Sequence, residues 1–86
     1  MHATIDALGQ QLGQAALRAL IRLYPAVRTA SSAQLDAACA AMRAQSRAVI
    51  DQLFADAQDA PWLANAALAT AALTLAQAGI DALREA

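Results

Sequence analysis

His2, Cys39 and the pair Asp56 and Asp59 are the residues with which this chain could do chemistry, and their spacing sets narrow limits on it. A Ser/His/Asp or Cys/His arrangement would have to be built on the single histidine, which stands next to the N-terminus, where chains fray. His2 therefore reads as a spectator. Cys39 falls in an apolar helical row and reads as a small buried hydrophobe, with a redox or intermolecular disulfide role as the alternative. One cysteine makes no internal disulfide, so nothing in the chain points to an oxidising compartment. With one Cys, one His and no Glu-x-x-His, a single chain assembles neither a zinc site nor a di-iron bundle. Asp56 and Asp59 are expected to serve the positive start of the helix that follows them, rather than to work as an acid/base couple. A Gly-rich phosphate loop is missing as well. The expectation is a non-enzyme with no catalytic residue, no cofactor and no metal.

The elements that would position such residues are all helical. Between Asp59 and Asp81 the chain carries no charge, reading APWLANAALATAALTLAQAGI from Ala60 to Ile80. At about 100° per residue its polar residues Thr70, Thr74, Gln77 and Asp81 make one narrow stripe, and Ala, Leu, Ile and Trp cover the rest. A helix apolar around most of its circumference has to be covered on several sides, so the other segments are expected to pack on it. A first helix is expected over about residues 4–23, with Thr4 as its cap, Asp6 in its first turn and an inward stripe Ile5, Leu8, Leu12, Ala15/Ala16, Ala19, Leu23. Pro25 ends it at Tyr24. Ser31 and Gln34 match a capping box for a second helix over about 32–58. There Leu35, Cys39, Met42, Ser46, Val49, Leu53 and Ala57 recur close to every seven residues, the spacing of a helix-pairing seam. Its other face is alanine: Ala37, Ala40, Ala41, Ala44, Ala48 and Ala55. Pro61 opens a third helix, about 61–84, antiparallel to the second across a short break. The fold class is all-α: a three-helix bundle, or a helical hairpin plus a third helix, in one domain over residues 1–86 with close alanine-rich interfaces.

Composition excludes some partners and favours others. The chain is 59% hydrophobic with 3% aromatic residues, so its core is built from small side chains that bury little area each. Net charge is −1, which argues against a strongly basic nucleic-acid protein. The charges are uneven: Arg18, Arg22, Arg28, Arg43 and Arg47 outnumber Asp6 and Asp36 before residue 51, and acids outnumber Arg84 after it. Such polarity suits either mutual neutralisation inside one bundle or head-to-tail packing of copies. All basic residues are arginine, which with so much alanine points to GC-rich coding and a bacterial or bacteriophage source. No basic stretch leads into an apolar core segment at the N-terminus, so a cytoplasmic location is expected.

Three kinds of surface follow. Gly9 and Gly13, four apart with Ala16 after them, offer a seam for close backbone approach, since each glycine costs about 0.5–1 kcal/mol of helix stability. Leu17, Ile21 and Tyr24 lie off the inward stripe and form either a docking patch or a contact with the Pro25–Val27 connection. Arg43 and Arg47 are a turn apart, with Asp51 in reach of Arg47. These seven are the candidate partner-binding residues. Among the aromatics, Tyr24, Phe54 and Trp62, core packing is expected first, with Phe54 and Trp62 meeting where the second helix turns into the third and an interface anchor as the alternative. The expected function is a helical protein-interaction module (adaptor, chaperone, inhibitor or self-assembling subunit) whose partner is another protein, itself included. The first alternative is a membrane- or lipid-surface protein using residues 60–80, long enough to span about 30 Å but diluted by Asn65, the threonines and Gln77. The second is nucleic-acid binding through an arginine surface.

Overall fold

The computed structural model describes the backbone of residues 2–85 and the side chains of residues 6–85. Three α-helices, α1 (His2–Leu23), α2 (Ser32–Asp59) and α3 (Ala64–Glu85), are joined by 3₁₀ turns at Pro25–Thr29 and Pro61–Leu63. Among the described residues there is no strand, and the helices pack as a three-helix bundle. The expected roles of His2 and Ile5 rest on side chains outside the described residues, whereas Thr4, expected as the cap, lies inside α1, which begins two residues earlier. Because α1 begins at His2, Asp6 falls one turn inside the helix instead of in its first turn.

The start of α2 obeys the sequence closely. The Gln34 backbone N–H donates to Ser31 Oγ at 3.1 Å, and Gln34 Oε1 accepts from the Ser31 N–H at 2.9 Å, a complete capping box. Both prolines act as chain breakers in the same way. Tyr24 (φ −137°, ψ 74°) and Ala60 (φ −139°, ψ 75°) are each pushed out of the helical region by the ring that follows.

The uncharged third helix is the centre of the bundle. It contributes Ala71, Ala72, Leu75, Ala76, Gly79, Ile80 and Leu83 to the buried set, while α2 contributes only Ala38 and Leu53. Both other helices pack extensively on α3 and scarcely on each other. Direction follows from the contacts. Gly9 of α1 lies beside Ile50, late in α2, and Tyr24 lies beneath Arg84 at the end of α3. Helix α1 therefore runs parallel to α3 and antiparallel to α2.

Two clusters make the core. One joins Leu12 and Ala16 to Leu53, Ala71, Ala72 and Leu75; the other joins Ala19 and Leu20 to Ala38, Ala76, Ile80, Leu83 and Val27 of the first connection. Leu12 and Leu53 are the largest fully buried side chains, so truncating either to alanine removes about 2–5 kcal/mol. Helix α1 buries Leu12, Ala16 and Ala19 as expected and Leu20 in addition, but Leu23 is exposed, because Val27 of the connection closes this end of the core in its place.

The seven-residue seam on α2 is corrected at its N-terminal half. Leu35 and Cys39 are exposed, and the inward row is Ala38, Met42, Val49 and Leu53. A straight helix drifts about 20° per heptad from a 3.5-residue repeat, so one seam cannot stay inward over 28 residues. Cys39 is thus a surface thiol and not a core residue. The alanine face of α2 is mainly solvent-facing, with Ala40, Ala44, Ala48 and Ala55 exposed, as strong helix formers at a surface are.

Candidate functional site

Helices α2 and α3, with the short turn between them, frame an open groove of about 540 Å³ into which none of the described side chains of α1 reaches. Its floor is apolar: Val49, Leu53, Ala67 and Ala71 come from the inner rows of the two helices, Ala48 and Ala66 from their flanks, and Leu63 from the turn between them. The groove exists because alanines four apart on α3 have no side chain to fill the valley between two helix axes. Polar groups stand only at its edges, namely Gln52, Asp56 and Asp59 from α2 and Thr70 and Thr74 from α3. Thr74 Oγ1 donates to the Thr70 carbonyl at 3.1 Å, which satisfies the hydroxyl within the helix and leaves the wall locally apolar.

Through Thr70 and Thr74 this groove continues into a shallower one of about 510 Å³, lined by Gln45, Leu73, Gln77, Ala78 and Asp81. The polar stripe expected on the third helix is therefore real, exposed and the floor of this second stretch; Gln77 Nε2 donates to Asp81 Oδ1 at 2.8 Å.

Asp56 and Asp59 are placed differently from expectation. They occupy the last turn of α2, and the first turns of the 3₁₀ segment and of α3 carry no acid. Carboxylates at a helix C-terminus face the negative end of its dipole, so their position opposes α2 instead of supporting α3. Asp56 Oδ1 accepts from Gln52 Nε2 at 2.9 Å, and no basic residue lines the groove. The mouth of the groove is consequently anionic.

The candidate partner-binding residues scatter over two surfaces. Gly9 is half-buried with Ile50 Cδ1 3.8 Å from the place a Cβ would take, and Gly13 faces open space, so the expected close-packing seam is not used within the chain. Leu17 and Ile21 are exposed at 52% and 39%. Tyr24 instead packs against the core beside the connection, with the Arg84 guanidinium 5.9 Å from its ring centroid. Arg43 and Arg47 are exposed on α2, where Arg47 Nε lies 3.8 Å from Asp51 Oδ2, the weak surface pair the sequence suggests.

Core packing of all three aromatics fails at Trp62, which is 79% exposed; Leu63 beside it is 53% exposed and Phe54 is half-buried. Gly79 was not among the residues singled out by sequence, yet side chains of both other helices meet there. A Cβ there would lie 2.8 Å from Met42 Sδ and 3.6 Å from Leu20 Cδ1. The available signal was a glycine inside an otherwise uninterrupted alanine-rich helix, which is kept only where something must approach closely.

Chemistry has little to build on. Among the described residues, no three His, Cys, Asp or Glu side chains come together as metal ligands would. In comparison with known proteins, no family model, no curated protein and no solved structure matches the chain.

Proposed function

We propose that the protein is a small non-catalytic interaction module that binds another protein, a further copy of itself included, by helix–helix packing. The observation that carries this reading is the groove between α2 and α3, an apolar valley left without the helix that would cover it.

The test uses the intact tagged chain recovered from the cells that encode it, beside an Ala66→Trp variant that fills the groove from an exposed position. The expected result is a protein that accompanies the parent chain and is lost from the variant. Equal recovery with both, or no accompanying protein with either, an untagged copy of the chain included, overturns the reading.

A second reading is favoured by one specific observation. The stretch Pro61–Glu85 is 25 residues long, its most apolar 18-residue window has a mean hydropathy of 1.4, and only 33% of that window is buried. Trp62 stands exposed at its start, as aromatic residues do at membrane interfaces. Partition of the chain into detergent after a carbonate wash would support this reading; full recovery in the aqueous phase excludes it.

A further inference from the structure

The groove between α2 and α3 has a distinctive charge pattern: Asp56 and Asp59 at one end, Asp81 in its shallower continuation, and no cation among its described lining residues. Two of these carboxylates also sit at the end of α2 where the helix dipole repels them, so a cation brought to the mouth would relieve a cost already present. The groove therefore calls for a helix with an apolar ridge and flanking positive charge.

This chain carries such a helix on the surface of α1. Leu17 and Ile21, at i and i+4, make an exposed ridge, and Gly13, one turn earlier in the same row, leaves open space along it. Arg18 and Arg22 repeat at the same interval beside that ridge, both exposed. The spacings agree, because two arginines one turn apart face two aspartates three residues apart. Lengths agree as well: the groove follows α2 from Ala48 to Asp59, about 16 Å at 1.5 Å per residue, and the ridge from Gly13 to Ile21 is about 12 Å long.

Within one molecule this pairing cannot be made. Arg18 and Arg22 lie towards the end of α1 that meets the Pro25–Thr29 turn and the end of α3, whereas Asp56 and Asp59 lie at the opposite end of the bundle. Arg28 and Arg84 are at the same end as the arginines of α1, and Asp6 and Asp51 are at the end of the aspartates. Asp36, Asp81 and Glu85 stand at the arginine end as well and nearly balance it, so the polarity rests on the other end, where Asp6, Asp51, Asp56 and Asp59 outnumber Arg47 and attract a cationic surface of another molecule.

We infer that the occupant of the groove is α1 of a second copy, with its Leu17 and Ile21 seated on the alanine floor and its Arg18 and Arg22 against Asp56 and Asp59. The contact is heterologous, joining two different surfaces of the same chain. It rests on the protein-interaction reading above but is tested separately, by what the purified chain does alone.

The experiment is molar mass by light scattering across a concentration series at low salt, on the parent chain and three variants, with helix content followed by circular dichroism. The parent chain should exceed the mass of one copy and fall toward it as salt is raised. Arg18→Asp/Arg22→Asp and Asp56→Arg/Asp59→Arg should each weaken association by at least about tenfold, and mixing the two should restore it, because the reversed surfaces complement each other. Ala66→Trp, which blocks the groove without touching a charge, should remain a single copy, so the inference stays testable if a charge reversal fails to fold. A parent chain that is monomeric throughout overturns a second copy as the occupant, while the capture experiment still judges the interaction reading. Association that survives Ala66→Trp, or folded charge reversals that do not recover on mixing, overturns the site.

Discussion

The connection after α1 and the connection after α2 are built from the same local chemistry. In each, a final i to i−4 hydrogen bond closes the helix, from Tyr24 N–H to the Leu20 carbonyl and from Ala60 N–H to the Asp56 carbonyl, both at 2.9 Å. In each, the next residue is proline and a 3₁₀ turn follows, closed by Val27 N–H on Tyr24 at 3.0 Å and by Leu63 N–H on Ala60 at 2.8 Å. The outcomes are opposite. The first connection runs from Tyr24 to Ser31, long enough to fold back, and it buries Val27 while Tyr24 and Ala30 pack against the core. The second has only Ala60 to Leu63 before α3 resumes, and it leaves Trp62 and Leu63 in solvent. Local backbone chemistry sets where a helix stops; connection length sets whether the turn becomes part of the core. Among the described residues, one end of the bundle is closed and the other is open.

The sharpest way to break this comparison is to put a charge into each turn. Val27→Asp buries an unpaired carboxylate against Leu20, Ile80 and Leu83 and should destabilise the fold by about 3 kcal/mol or more. Leu63→Asp, at an exposed position, should cost less than about 1 kcal/mol. Urea denaturation of the two variants measures the difference. Equal losses would mean that the two ends are equally closed.

Gly79 sharpens the comparison from inside, because it lies at the closed half, between Leu20 and Met42. Alanine there would gain about 0.8–1 kcal/mol of helix propensity but would place Cβ 3.1 Å from Met42 Cγ as well as 2.8 Å from its sulfur, so the side chain must swing away. The expected net loss is about 1 kcal/mol. In a Met42→Ala background the obstruction is gone, and the same change should become stabilising by about 0.5–1 kcal/mol. A double-mutant cycle with no coupling would show that the helices are not tight at this point. Ser31→Ala should cost about 1 kcal/mol by removing the acceptor for the Gln34 N–H, a loss of the cap that leaves both turns otherwise intact.

What the sequence made legible follows the same division. Pro25, Pro61 and the Ser31/Gln34 box act through neighbours within four residues, and the ends of α1 and α2 and the start of α2 fall where they imply, whereas Pro61 opens a 3₁₀ turn and α3 begins only at Ala64. The uncharged third helix was legible as the centre because a helix apolar around most of its circumference draws cover from more than one neighbour. Rows of burial were less so. Cys39 and Leu35 share the spacing of Met42 and Leu53, and only the drift of a straight helix over its full length turns the first two outward. The groove was illegible for a related reason: alanine reads alike whether it meets a helix, lines a valley or faces water, so Ala48 and Ala66 acquire meaning only from what fails to cover them.

The smallest expected effect is the most telling for the open end. Trp62 is the only tryptophan in the chain, and a large aromatic residue at a helix junction would ordinarily be credited with several kcal/mol of core packing. With 79% of its surface in water it should contribute almost nothing, so Trp62→Gln should shift stability by no more than about 0.5 kcal/mol in urea. Its fluorescence should report an indole in water, readily quenched by acrylamide. A loss of about 3 kcal/mol, or a shielded indole in the dilute chain, would mean that the second turn folds back as the first one does and that the bundle has no open end. If the indole is open when dilute and becomes shielded as concentration rises, the turn is covered only by a neighbour. The contrast between the two connections would then belong to the single copy and disappear in the assembled state.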